Sequence, residues 1–221
     1  MRFLNKALNG RSPMLIDPVI AKQYAQDAER FGFTDLLAQV FGEVPKPYKV
    51  GSYGVIPIVG AIGKGLSPLE RMTGASDLNV VSAQIDEFMA DGEVSTIVFH
   101  IDSPGGSVKS GLSMVDVMEY ISCDIRTVNT GMAASMGSVL LGAGTKGKRS
   151  SLRFSKTMLH QSSGGAGGNI QDARINMIEW EKVNNILFDL LGRYCNKPAE
   201  VVMNDATRDL WLDAEEALSY G

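Results

Sequence analysis

Ser95-Thr96-Ile97-Val98-Phe99-His100-Ile101 is a short, nearly continuous apolar run that leads straight into Asp102-Ser103-Pro104-Gly105-Gly106. A run of this length with no polar face fits a strand covered on both sides, as in a parallel sheet. From Val108 to Ile121 the apolar spacing turns helical. Strand, glycine-marked turn and helix in that order form the building unit of an α/β fold. The unit recurs at once. Ile125–Thr130 reads as a strand, Gly131-Met132-Ala133-Ala134-Ser135-Met136-Gly137 as a turn, and a small-residue helix begins near Ser135.

Upstream, Asp17-Pro18 is a good helix start, an N-cap followed by proline at the first helical position. Helices are expected over Val19–Arg30 and Asp35–Phe41. Gly42 and Pro45-Lys46-Pro47 then read as a linker, so residues 1–48 form a helical N-terminal segment and 49–221 the main domain. Tyr48–Val59 carries β-rich spacing, Gly60, Gly63, Gly65 and Pro68 mark a loop, and Asp77 caps a helix running to about Ala90. Downstream, short strands are expected at Ser151–Phe154 and Thr157–His160. A long helix follows over Asn169–Cys195, then a shorter one over Ala199–Asp205, a strand at Leu210–Leu212 and a helix after Asp213. Strands alternating with helices in this way imply an α/β fold with helices packed on largely parallel strands.

A chain of 221 residues can bury a sizeable core, and 44% hydrophobic with 21% charged content argues against wholesale disorder. The formal charge of −4 lacks the basic excess of a nucleic-acid module. Cys123 and Cys195 follow neither a metal nor a disulfide-framework spacing and read as small buried thiols. With two histidines in the chain, no metal site and no cofactor are expected. There is no apolar stretch of the ~18 residues that a membrane-spanning helix needs and no signal-peptide core, so a reducing cytoplasm is the expected setting. Glycine is the outlier, 24 residues where ~7% is usual, so some backbone must turn sharply or approach something closely.

Both glycine turns fall at the carboxyl ends of expected strands, the usual ligand side of an α/β sheet. Gly105-Gly106 can leave backbone N–H groups open to an incoming oxygen. The small neighbours of Ser135 permit a sharp turn that presents its hydroxyl at a helix N-terminus, although a serine there is ordinarily just an N-cap. His160 ends an expected strand and borders Ser162-Ser163-Gly164-Gly165-Ala166-Gly167-Gly168, where a general base could work. Such a histidine needs a carboxylate to fix its tautomer, and Asp205, Asp209 and Asp213 are candidates by position. Asp213 begins a capping box with Glu216, which explains it structurally; spacing does not separate Asp205 from Asp209. His100, on a strand face with Asp102, reads as structural.

From Ile101 to Gly221 the chain resembles the ClpP family of serine peptidases. The resemblance is carried by Ser103-Pro104-Gly105-Gly106, Gly131–Gly137, Gly144-Thr145-Lys146-Gly147-Lys148-Arg149 and Met158-Leu159-His160-Gln161. It continues through Thr207-Arg208-Asp209 to Ala214-Glu215-Glu216-Ala217-Leu218-Ser219-Tyr220-Gly221. The separations of 25 residues from Ser135 to His160 and 49 from His160 to Asp209 fit the family without insertion. The resemblance implies a ClpP/crotonase-like fold of repeated strand-strand-helix units with a protruding handle helix. It implies Ser135 as nucleophile, His160 as general base, Asp209 as orienting acid, and the Gly106 and Met136 amides as oxyanion hole. An extended polypeptide substrate would lie along Gly105, Ser107 and Val108 on one side and Gln161, Gly164 and Gly165 on the other.

The first half looks more like the SppA-related proteases, which include the capsid-maturation (prohead) proteases of tailed phages, through Val55–Gly60 and Pro68–Ala75, and Ile101–Gly106 is also written more in their style, with Asp102 before the serine. That likeness implies a capsid or scaffold protein as a possible partner and a viral procapsid as an alternative setting. Those relatives use a Ser–Lys dyad, for which Lys146, Lys148 and Lys156 are the formal candidates, but Met158–Gln161 stands where their lysine segment is expected. The axial-loop sequences by which ClpP engages its ATPase are not evident, which argues against an ATPase partner.

Ile170, Ala173, Met177, Trp180, Asn184, Leu187, Leu191 and Tyr194 recur every three or four residues along the long helix and read as an intersubunit face. The resemblance implies a homo-oligomeric chamber of two seven-membered rings with Arg208 at a ring contact. Family members continue into another strand after the position of Gly221, so a truncated or processed chain is expected. Two other classes compete: a crotonase-type acyl-CoA enzyme, which would not need Ser135, His160 and Asp209 together, and an inactive scaffold subunit.

Overall fold

The computed structural model describes residues 45–164 and 167–221. The helices expected at 19–30 and 35–41 lie outside the described residues, as do Gly165 and Ala166. An eight-stranded sheet has the path β1 (Tyr48–Val50), β2 (Tyr53–Gly63), β4 (Thr96–Gly106), β5 (Asp124–Ala134), β7 (Lys156–Leu159), β8 (Leu210–Leu212). β3 (Ser76–Asp77) pairs with β2, and β6 (Arg149–Ser151) with β5. β2, β4 and β5 run parallel, while β1 and β8 are antiparallel at the two edges. The helices are α1 (Pro68–Met72), α2 (Leu78–Ala90), α3 (Val108–Tyr120), α4 (Met136–Gly142), α5 (Ile170–Cys195), α6 (Ala199–Asp205) and α7 (Ala214–Tyr220).

The apolar run read first is the centre of the molecule. Ile97, Phe99 and Ile101 of β4 are fully buried beside Ile56 and Ile58 of β2, while Val98 on the opposite face is 6% exposed. Both faces are therefore covered, which is why the segment lacks alternation. Asp77 caps α2 as expected, its side chain accepting from the Asn79 N–H.

Three expectations are corrected. The strands do not stop at their glycines: β5 runs through Gly131 to Ala134, and β2 continues to Gly63 and β4 to Gly106 with one extra residue bulged on β4, so that Ala61 pairs with Gly105 and Ile62 with Gly106. Glycine is what allows this, because a Cβ on Gly106 would collide with the Ile62 backbone. Next, part of the expected loop is helical. Ser67 caps α1 with Pro68 at its start, and Glu70 returns the bond in a complete capping box. Finally, the stripe along α5 is not one open face. Leu187 and Leu191 are buried in the core of the same chain, whereas Ile170 is 79% and Met177 63% exposed.

No helix among the described residues is long and apolar enough to cross a membrane.

Candidate active site

Two parallel strands and the ladder between them place the chemistry. β5 ends at Ala134, paired with Met158 of β7, and the Ser135 N–H donates to the Met158 carbonyl at 2.9 Å. The chain then turns hard into α4. Ser135 has φ 54° and ψ −121°, and its side chain makes no capping hydrogen bond. Such a backbone costs a non-glycine residue about 1–3 kcal/mol, so surrounding contacts must hold it there. Its hydroxyl faces His160, the first residue beyond β7, with 2.9 Å between Ser135 Oγ and His160 Nε2. Ser135 thus stands at the N-cap position of α4, but its side chain does not cap the helix.

On the other side of the imidazole, Nδ1 lies 3.4 Å from Asp209 Oδ1. The histidine side chain is 25% and the aspartate 59% exposed, so this contact is looser and wetter than the first. The other two carboxylates are engaged elsewhere. Asp205 accepts from the Tyr220 hydroxyl at 2.8 Å, and Asp213 caps α7 through the Glu215 and Glu216 amides. A proton on Nδ1 toward Asp209 leaves the Nε2 lone pair for the Ser135 hydroxyl.

The end of β4 lies against this turn. A Cβ on Gly105 would stand 2.7 Å from Ser135 Cβ and 3.0 Å from the Met136 amide nitrogen. Ser103, fully buried, holds the segment: its hydroxyl donates to the Gly60 carbonyl at 2.6 Å and accepts from the Gly105 N–H at 3.1 Å. Met136 opens α4, so its amide has no acceptor within the helix.

Gly106, Val108, Ser135, Met136 and His160 line a cavity of about 50 Å³. Its remaining walls are Ser138, Val139, Ser162, Ser163, Leu187 and Leu191, none of which was singled out as a site residue. The two leucines, four residues apart on α5, were visible as a helical pair; that they floor this cavity depends on tertiary packing. Gly164 touches the Trp180 ring, Gln161 is exposed, and Gly165 lies outside the described residues. Ser107 caps α3, and its N–H is committed to the Ile62 carbonyl at 2.8 Å, so that amide is not open to a substrate strand. A larger cavity of about 420 Å³ between α4, the end of α5, β8 and α7 contains none of Ser135, His160 and Asp209.

The lysines weighed for a dyad are placed otherwise: Lys148 pairs with Asp124, Lys146 lines the larger cavity, and Lys156 is exposed on β7. His100 meets the Tyr48 ring edge-on at 6.4 Å. Arg208 is exposed. Cys123 and Cys195 are free and half-buried, and burial pushes both thiols above their ordinary range. No group of three metal-binding side chains occurs among the described residues.

The sequence profile of the Clp protease family matches residues 72–221. The chain is 45% identical over 143 residues to the ATP-dependent Clp protease proteolytic subunit of Porphyromonas gingivalis, covering 65% of this chain and 64% of that protein. It is 45% identical over 132 residues to proteolytic subunit 2 of Thermobifida fusca, covering 60% of this chain and 65% of the relative. The corresponding subunit of Nocardia farcinica is 44% identical over 143 residues, covering 65% of this chain and 70% of its own length. The matches thus span a little under two thirds of the first two relatives.

Proposed function

Because this chain belongs to the Clp protease family, we propose that it is a serine endopeptidase in which Ser135 attacks, His160 moves the proton and Asp209 orients the imidazole. The observation that carries the reading is the 2.9 Å contact between Ser135 Oγ and His160 Nε2, on a strained turn at the mouth of a cavity.

Nε2 takes the hydroxyl proton as Oγ adds to the peptide carbonyl. The charge that forms on the carbonyl oxygen is received by the amides of Gly106 and Met136; one such donor is worth about 3 kcal/mol of barrier. The tetrahedral centre collapses, the C–N bond breaks, and His160 returns its proton to the departing amine. Water, deprotonated by the same nitrogen, then hydrolyses the serine ester and restores Ser135. The small cavity floored by Leu187 and Leu191 suits a small apolar side chain on the acyl side of the cleaved bond.

The relatives are named as proteolytic subunits of ATP-dependent proteases. That likeness supports polypeptide substrates, a homo-oligomeric chamber and an ATP-driven partner, the last against the expectation from the first half of the chain. The capsid-maturation alternative rests on Val55–Gly60 and Pro68–Ala75, ahead of or at the edge of the matched residues 72–221, and on the style of Ile101–Gly106 within them.

The test is intact mass after exposure to a fluorophosphonate probe, with Ser135→Ala as control. One adduct, lost in the control, is the expected result. Folded protein that takes no adduct would sink the peptidase reading and favour a scaffold or an acyl-CoA enzyme.

A further inference from the structure

The segment that follows His160 forms one wall of the reaction cavity through Ser162 and Ser163, and nothing in its own sequence stiffens it. It has left β7, it pairs with no strand among the described residues, and it runs into glycines. Two side chains one turn apart on α5 grip it instead. Asn184 Oδ1 accepts from both the backbone N–H of Ser162, at 3.0 Å, and the Ser162 hydroxyl, at 3.2 Å. Four residues earlier, Trp180 lies so close under Gly164 that any Cβ there would collide with the indole ring. The same helix face continues to Leu187 and Leu191 on the cavity floor.

From these contacts, and resting on the peptidase reading above, we propose that Asn184 is a positioning residue: its carboxamide oxygen holds Ser162, and through Ser162 the histidine two residues away. The lever is short. Two residues of extended chain span about 7 Å, so a shift of the Ser162 amide reaches His160 almost undamped. A misplacement near 1 Å can cost about 10²-fold in rate, which is the scale on which the contact acts. Asn184 touches no reacting atom, and Ser162 is only half-buried. Without its acceptor the Ser162 N–H can turn to water, so the loop lifts off while the helix and core remain.

The experiment compares full-chain wild type with Asn184→Leu, which keeps bulk and loses the acceptor, and Asn184→Asp, whose carboxylate can accept both bonds. The readouts are the fluorophosphonate labelling rate at Ser135, kcat and KM for a peptide substrate, and amide hydrogen exchange at residues 161–164. In Asn184→Leu, labelling and kcat should fall by about 10–100-fold with KM changed far less, and exchange across 161–164 should rise. Asn184→Asp should stay within about threefold of wild type, since it keeps both acceptor contacts. Wild-type rates in Asn184→Leu, or equal damage in both variants, would overturn the proposal. Should Asn184→Leu not fold, wild type alone decides: the Ser162 amide must exchange more slowly than that of Gly164, and equal rates refute the clamp. Wild type that never labels at Ser135 defeats the peptidase reading and the positioning role with it, whereas labelled wild type with an unaffected Asn184→Leu defeats the clamp alone.

Discussion

Ser135 is the residue where stability and chemistry pull apart. A side chain at φ 54° and ψ −121° is held against its own preference, and glycine would relieve that strain. Ser135→Gly is therefore expected to raise stability by about 1 kcal/mol, seen as a melting temperature about 2–4 °C higher, while labelling disappears. A lower melting temperature would mean that the hydroxyl contact to His160 outweighs the strain. Residue types alone marked Ser135, among small neighbours, and His160, beside a glycine-rich run, as candidates beside plainer readings. Asp205 and Asp209 are four residues apart and spacing left both open; the family resemblance pointed to Asp209, and in the folded chain Asp205 takes the Tyr220 hydroxyl while Asp209 lies beside His160. Asn184 was hidden, reading as one more position on an amphipathic stripe until its loop partner lay against it.

At the level of elements, the sequence was clearest where local chemistry is sufficient: the apolar run of β4, the Asp77 and Asp213 caps, the long period of α5. It was poorest where pairing partners decide. Glycines at 60, 63, 105 and 106 ordinarily punctuate strands, yet here they let β2 and β4 approach closely and continue side by side. The Ser67-Pro68-Leu69-Glu70 box was a legible helix start that the surrounding glycines masked. Asp77 binds this region together. Burial acts to raise its carboxyl, but the N–H groups of Asn79, Gly65 and Leu66, helped by Arg71, outweigh that and hold it below its ordinary value of 3.8. The sign follows from the depressed folded value. The ionised form stabilises the native state above about pH 4, and that contribution is lost as pH falls through the lowered value. Wild type should lose melting temperature below about pH 4 more steeply than Asp77→Asn, which keeps a capping oxygen but loses the charge and the second acceptor and should sit about 1 kcal/mol lower at neutral pH. Parallel curves for the two proteins across that range would refute this role.

Across the whole molecule, α5 joins two kinds of surface. Over ~39 Å at 26 residues it passes from an exposed first half, with Ile170, Ile175, Met177 and Ile178 open to solvent, to a second half that sets Leu187, Phe188, Leu190 and Leu191 in the core. Exposed apolar residues in a row along one helix mark a surface for another chain. Under the proposed oligomer, Met177→Glu combined with Ile178→Glu should reduce the assembled mass in light scattering while leaving circular dichroism unchanged, because neither side chain supports the core. An unaltered mass would show that assembly uses other surfaces.

The three-residue ladder between β5 and β7, with Met132, Ala133 and Ala134 facing Lys156, Thr157 and Met158, has a consequence for how this site can change over generations. Strand register moves in whole residues, and a slip of one turns every side chain to the opposite face of the sheet. The distance from hydroxyl to imidazole is thus digital, either present or abolished, and gradual drift has no intermediate to select. A single insertion between Lys156 and His160 erases it. Descendants of this chain are bound to keep count there.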